Sequence, residues 1–205
     1  MTEPSQRHHR LSEPQHVVVI GVAGSGKSTI SAALAVRLGW AFADADDFHS
    51  DTSRAKMTAG IPLDDIDRAP WLSSLRDWMT AQHSVGRSTV LACSALRRRY
   101  RDVLRQARGP VTIVHLDLPA EVAAHRMQQR TNHYMPPSLL RSQLDCLEPL
   151  EPDERGFRVE ATAIPQQLIA DIVLRLTDEG VIPLARYQSR AAADHSQCTG
   201  RSLQT

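Results

Sequence analysis

The chain has 205 residues, with 24 basic and 23 acidic side chains and a formal net charge of +1. That length suits one α/β domain with a buried core and is short for two, and the balanced charge provides no bulk attraction to nucleic acid or to an anionic membrane. No apolar run reaches the ~18 residues of a membrane helix, residues 1–15 lack the apolar centre of a signal peptide, and Cys93, Cys146 and Cys198 have no C-x-x-C spacing, so zinc and a disulfide framework are not indicated and a reducing, cytoplasmic setting is expected.

Residues 1–15 and 187–205 are rich in Ser, Gln, Arg, His and Pro with little apolar periodicity, and are expected to be poorly ordered tails around a domain spanning 16–186. Within it, strand-like and helix-like segments alternate. Strands are expected at His16–Gly21, Trp40–Asp44, Ser88–Cys93, Val111–Asp117 and Phe157–Ala161. Helices are expected at Lys27–Leu38, Pro70–Gln82, Ala95–Ala107, Glu121–Arg130, Ser138–Leu147 and Gln166–Leu176. Pro70 suits a first helical turn, Ser94 is placed to cap the third helix with Arg97 in its first turn, and Asp117 is expected to cap the fourth. This alternation predicts a mostly parallel sheet with helices on both faces.

A β-branched run ends at Gly21, and the residues Gly21, Val22, Ala23, Gly24, Ser25, Gly26, Lys27, Ser28 and Thr29 contain G-x-x-x-x-G-K-S between a strand and a helix. That is the phosphate-binding loop pattern in its proper context. Its glycines let successive backbone N–H groups approach a phosphate, and the following helix adds its positive end. Lys27 would reach the β/γ-phosphates of a nucleoside triphosphate, and the Ser28 hydroxyl would ligate Mg²⁺.

Ligands in open parallel sheets bind beyond the carboxyl ends of the strands. The second expected strand ends there in Asp44-Ala45-Asp46, and extended alternation puts both carboxylates on one side. One would serve the Mg²⁺ shell and the other would accept a proton from an attacking hydroxyl; a solvated acidic loop or a helix cap is the alternative. Between residues 56 and 72, charges interleave with Gly60, Pro62 and Pro70. Lys56 and Arg68 can clamp an anionic group there, or pair with neighbouring aspartates. In the basic run from Arg97 to Arg101, apolar residues recur at helical spacing, so only Arg97 is taken as functional. Arg126 and Arg130 are four apart on one helix face and lead into residues 131–137, a segment expected to form a lid over the transferred phosphate. His133 there is a candidate phosphate or substrate contact.

Taken together, G-V-A-G-S-G-K-S-T, A-F-A-D-A-D-D-F-H, K-M-T-A-G-I-P-L-D-D-I-D-R-A-P-W-L and C-S-A-L-R-R-R-Y-R-D-V-L-R resemble the gluconokinase family of thermoresistant, P-loop type. Asn132-His133-Tyr134 and Gln143 to Pro149 continue the likeness, which runs from about Val17 to Leu176. The resemblance implies a three-layer α/β/α P-loop NTPase fold with a five-stranded parallel sheet, a substrate-binding region and a mobile lid at about 126–137. It implies transfer of the ATP γ-phosphate to the 6-hydroxyl of D-gluconate, with ATP and Mg²⁺ required. On this chain it assigns Asp44 to Mg²⁺ and Asp46 to the substrate hydroxyl, with His49, Lys56, Arg68, Arg97 and His133 on the substrate side and Arg126 and Arg130 as lid cations. A homodimer is also implied. Kinases for shikimate or nucleotides, a nucleotide-dependent binding protein without catalysis, and an RNA-associated protein are the competing readings; the last fits poorly with near-neutral charge and no aromatic platform.

Overall fold

The computed structural model describes residues 13–129 and 138–183. The order of elements is β1 (His16–Ile20), α1 (Lys27–Leu38), β2 (Ala41–Asp44), a 3-10 turn (Ala45–Phe48), α2 (Asp51–Thr58), α3 (Asp65–Ser84), β3 (Thr89–Ala92), α4 (Arg98–Leu104), β4 (Val111–Asp117), α5 (Ala120–Gln128), α6 (Ser138–Cys146), β5 (Gly156–Glu160) and α7 (Pro165–Asp178). The five strands form one all-parallel sheet in the order β2-β3-β1-β4-β5. This is the expected three-layer α/β/α arrangement.

The strand β1 reads His-Val-Val-Val-Ile, and every residue in it is buried. Burial on both faces explains the continuous apolar run. Val17 and Val19 pack into the core that includes Ile30 and Leu34 of α1 and Ile172 and Leu176 of α7. Val18 and Ile20 point the other way, against Trp71, Leu75 and Met79 of α3 and Tyr100 and Leu104 of α4. The chain leaves β1 toward β2 on one side and later crosses from β3 to β4 on the other. A crevice therefore opens at the carboxyl ends of β1 and β3.

Three helix starts differ from expectation. The helix α3 begins at Asp65, because Asp64 and Asp67 form a capping box in which Asp64 Oδ1 accepts from Asp67 N at 2.8 Å and Asp67 Oδ2 accepts from Asp64 N at 3.2 Å. Two reciprocal capping bonds outweigh the preference of Pro70 for a first turn, and Pro70 lies inside the helix. The helix α4 begins at Arg98 rather than Ala95, and Ser94 does not cap it. Ala95 holds φ +32°, which breaks the helical path, and Glu148 Oε2 accepts from Arg98 N at 2.5 Å across the fold. Asp117 does not cap α5; it pairs with Arg158 at 2.7 Å, and the N-cap position is Pro119. The helix α2 was not anticipated. Ser50 caps it, its Oγ accepting from Ser53 N at 3.2 Å.

One buried ion pair ties distant segments together. Arg101 and Glu154 are both fully buried, with Nε–Oε1 and Nη2–Oε2 distances of 2.7 Å. The remaining guanidinium donors reach the carbonyls of Leu96, Glu148 and Pro149. A bidentate pair with its other donors satisfied can persist without water, whereas one left with a single partner cannot. Glu154→Ala is therefore expected to lower unfolding free energy by about 3–5 kcal/mol in urea denaturation, and the paired change Arg101→Met with Glu154→Leu to restore most of it. A loss below about 1 kcal/mol in the single variant would show that the buried guanidinium finds other compensation.

Candidate active site

The crevice contains a cavity of about 390 Å³ bounded by the phosphate loop, the end of β2, the start of α3, the β3–α4 connection and α6. Its walls combine a few charged groups with apolar and aromatic side chains, the usual make-up of a small-molecule site.

The loop between β1 and α1 is shaped to hold an anion. Gly24 has φ +81°, and a Cβ there would lie 2.7 Å from the carbonyl oxygen of Ala123, so α5 packs directly on the loop backbone. Gly26, at φ 91°, is the N-cap of α1 and has no side chain to satisfy the first helical amides. Those amides and the helix dipole face the cavity, as a phosphate requires. Lys27 and Ser28 line the same cavity. The Lys27 Nζ donates to Val22 O at 3.0 Å, arching back over the loop. Ser25 Oγ is buried without a hydrogen-bond partner, which leaves an uncompensated polar atom in the loop itself.

Asp44 and Asp46 both line the cavity, but not through strand alternation. The chain turns into the 3-10 segment at Ala45, and Asp44 Oδ1 accepts from Asp46 N at 3.1 Å. The cap and the cavity-lining carboxylate are thus the same residue. Trp71 Nε1 donates to Ala45 O at 2.7 Å and pins the turn against α3. Ser28, Asp44 and Asp46 share one cavity, an oxygen donor set of the kind Mg²⁺ uses together with phosphate oxygens.

Just after this turn, His49 stacks on Trp71 with ring centroids 4.5 Å apart and planes 10° from parallel. Burial, aided by the charges of Arg68 and Arg54, pushes its pKa down to about 4. His49 is therefore a neutral ring at physiological pH. Arg68 donates to Leu63 O at 3.2 Å and lies over Tyr100, 5.3 Å from the ring centroid. The Tyr100 hydroxyl donates to Asp65 Oδ1 at 2.6 Å, which holds the Asp65 carboxyl below the usual carboxylate range. Arg97, the residue preceding α4, donates to Cys146 Sγ at 3.1 Å. The buried Ala95 turn that sets Arg97 in place is a left-handed conformation costing roughly 1–3 kcal/mol, held by its surroundings.

Of the residues singled out from sequence, Ala23, Gly24, Gly26, Lys27, Ser28, Asp44, Asp46, His49, Arg68 and Arg97 come together around this cavity, whereas Gly21, Val22, Ser25 and Thr29 do not line it. Lys56 does not line it. Its ammonium lies 2.6 Å from Asp67 and links α2 to α3, the ion-pair alternative. Arg126 is in the last turn of α5, about one helical turn beyond the Ala123 contact with the loop, and does not line the cavity either. Arg130 and His133 lie outside the described residues. Sequence reasoning missed Tyr100, Trp71 and Gln143 as site residues. The first two read as core positions because one face of each is buried, and Gln143 carries no local signal.

A family model described as an AAA domain matches residues 17–150. The chain is 43% identical to the gluconokinase of Gluconobacter oxydans (strain 621H) over 161 residues, covering 78% of this chain and 90% of that protein. Among solved structures it is similar to an unliganded sugar kinase from Janibacter sp. HTCC2649, with 52% identity, a TM-score of 0.76 and coverage of 80% of this chain and 95% of that one. It is also similar to a gluconokinase from Sinorhizobium meliloti 1021, with 36% identity, a TM-score of 0.70 and coverage of 82% and 98%. With that identity over most of the length of both chains, and the same P-loop kinase fold, the chain belongs to the gluconokinase family of P-loop carbohydrate kinases.

Proposed function

We propose that this protein transfers the γ-phosphoryl group of ATP to the 6-hydroxyl of D-gluconate, giving 6-phospho-D-gluconate and ADP. The supporting observation is that the loop that takes phosphates, two carboxylates and two arginines meet in one cavity of a chain so similar to named gluconokinases. Phosphoryl transfer of this kind needs positioning and charge neutralisation more than covalent chemistry.

The residues divide the work. The loop amides and Lys27 bind the triphosphate, and Ser28 and Asp44 hold Mg²⁺, which neutralises charge on the β- and γ-oxygens when bound. Asp46 orients the acceptor hydroxyl and accepts its proton at the carboxylate. Arg68 and Arg97 pair with the acid end of the substrate, each already fixed by its contact with Tyr100 or Cys146. Neutral His49 offers a hydrogen bond to a substrate hydroxyl without adding charge. Arg126 and Arg130 are assigned to the transferred phosphoryl group, and His133 to the phosphate or substrate, on the family resemblance alone. Homodimeric assembly and a cytoplasmic setting belong to the same reading, the latter in keeping with free thiols at Cys93 and Cys146.

The direct test is coupled ADP release with Mg-ATP against D-gluconate, shikimate, glycerate and nucleoside monophosphates at equal concentration. Turnover confined to gluconate, with 6-phosphogluconate as product, is expected; turnover confined to another acceptor would overturn the substrate assignment. Asp46→Asn is expected to lower kcat by about 10²–10⁴-fold while ATP affinity stays within a factor of two or so. Loss of ATP binding instead would move Asp46 to the metal.

The depressed pKa of His49 has a signed consequence. Its folded value, about 4, lies below the ordinary 6.5, so the unfolded state binds more protons between these limits. Its contribution to stability is complete above pH 6.5 and is lost as pH falls toward 4. His49→Phe keeps the ring stack on Trp71 and cannot titrate. Thermal midpoints of the wild type are expected to fall relative to His49→Phe from pH 6.5 to 4, whereas parallel curves would mean His49 is not desolvated as described.

A further inference from the structure

The helix α6 is bonded directly to the phosphate loop. Gln143 Oε1 accepts from the backbone N–H of Ala23 at 2.6 Å, joining residues 120 positions apart. The backbone amide can only donate, so this contact fixes which end of the Gln143 amide faces the loop. The bond also falls at a chosen place. Lys27 Nζ, the group that meets the β/γ-phosphates in a loop of this type, reaches back to Val22 O beside Ala23. Ala23 therefore lies toward the terminal phosphate, whereas the amides of Gly26 and the first turn of α1 lie at the helix end, where the inner phosphates sit.

Gln143 does not reach the loop by chance drift of a surface side chain. Gln143 and Cys146 are three residues apart on one face of α6, and Cys146 Sγ accepts from Arg97. Just beyond the helix, Glu148 N donates to Leu96 O at 2.9 Å and the carbonyls of Glu148 and Pro149 accept from Arg101. The buried Arg101–Glu154 pair thus anchors the C-terminal end of α6, and Gln143 is presented to Ala23 from a braced helix.

We infer that Gln143 is a specificity-determining residue for the nucleotide's terminal phosphate: it occupies the Ala23 amide, and a γ-phosphate must displace it while a diphosphate need not. ATP would then release α6 from the loop on the side that carries the Arg97 contact, and ADP would leave the bond in place. After transfer, return of Gln143 to Ala23 would disfavour retention of the phosphorylated product at that position. The inference rests on the kinase reading above, but its test reads nucleotide binding and needs no acceptor.

Isothermal titration of the full chain with adenylyl imidodiphosphate and with ADP, each with Mg²⁺, measures the difference. Gln143→Ala is expected to tighten the imido analogue by roughly 2–10-fold, the equivalent of one net hydrogen bond no longer to be broken, with ADP affinity unchanged. Gln143→Leu keeps most of the side-chain bulk without the acceptor and must behave in the same way, which separates a lost bond from added space. Weaker binding of the analogue, an equal change for both nucleotides, or no change for either would overturn the inference. Failure of the wild type to bind either nucleotide would instead strike at the kinase reading itself.

Discussion

The structure depends on burying β1 on both faces. A central strand with no exposed residue can pair only with strands on either side and pack only against helices above and below. At its carboxyl end the chain leaves the core through Gly21 into a loop whose amides have no strand partner. Gly24 lies so close to the Ala123 carbonyl that no side chain fits, and Gly26 starts α1 without a capping side chain. A strand that must be dry thus ends in a loop that must be polar, and the first helix directs its positive end into the same crevice.

The rest of the cavity has a different origin. Its parts come from separate segments: Asp44 and Asp46 from the end of β2 and the 3-10 turn after it, Arg68 and Trp71 from α3, Arg97 from the approach to α4, and Cys146 from α6. The Arg97 and Cys146 segments are held together by a buried guanidinium, because Arg101 bonds the carbonyl just before Arg97 and two carbonyls just after α6, while Trp71 Nε1 ties the aspartate turn to α3 through Ala45 O. Desolvating such a charge is unfavourable unless nearly every donor is paired, so the segments have little freedom to separate. The left-handed Ala95 beside it shows strain tolerated at a place where the surroundings over-determine the backbone.

Local pattern and tertiary structure differ along the same division. Alternation along a strand would put Asp44 and Asp46 on one side, but a 3-10 turn is what brings both to the cavity. Proline is a strong local signal that points to a start of α3 at Pro70, yet Asp64 and Asp67 form a reciprocal cap that begins the helix five residues earlier. Ser94 and Asp117 looked like caps in isolation; a distant Glu148 takes the first of these tasks and Arg158 engages the second side chain. Lys56 was equally compatible with a substrate clamp and an ion pair, and only the approach of α2 to α3 placed it on Asp67.

The sequence by itself determined the parallel α/β class, the central strand, the phosphate loop with Lys27 and Ser28, and the aspartate pair. Each of these is written in contiguous residues whose periodicity, glycines or spacing act over a single turn or strand. Only the tertiary structure decided how Tyr100 and Cys146 steady the two cavity arginines, that His49 is neutral against Trp71, and that Gln143 meets Ala23. Those properties arise from desolvation and from hydrogen bonds between segments that meet only after the sheet has assembled. No local pattern encodes them, because the energy of each depends on which distant groups exclude water around it.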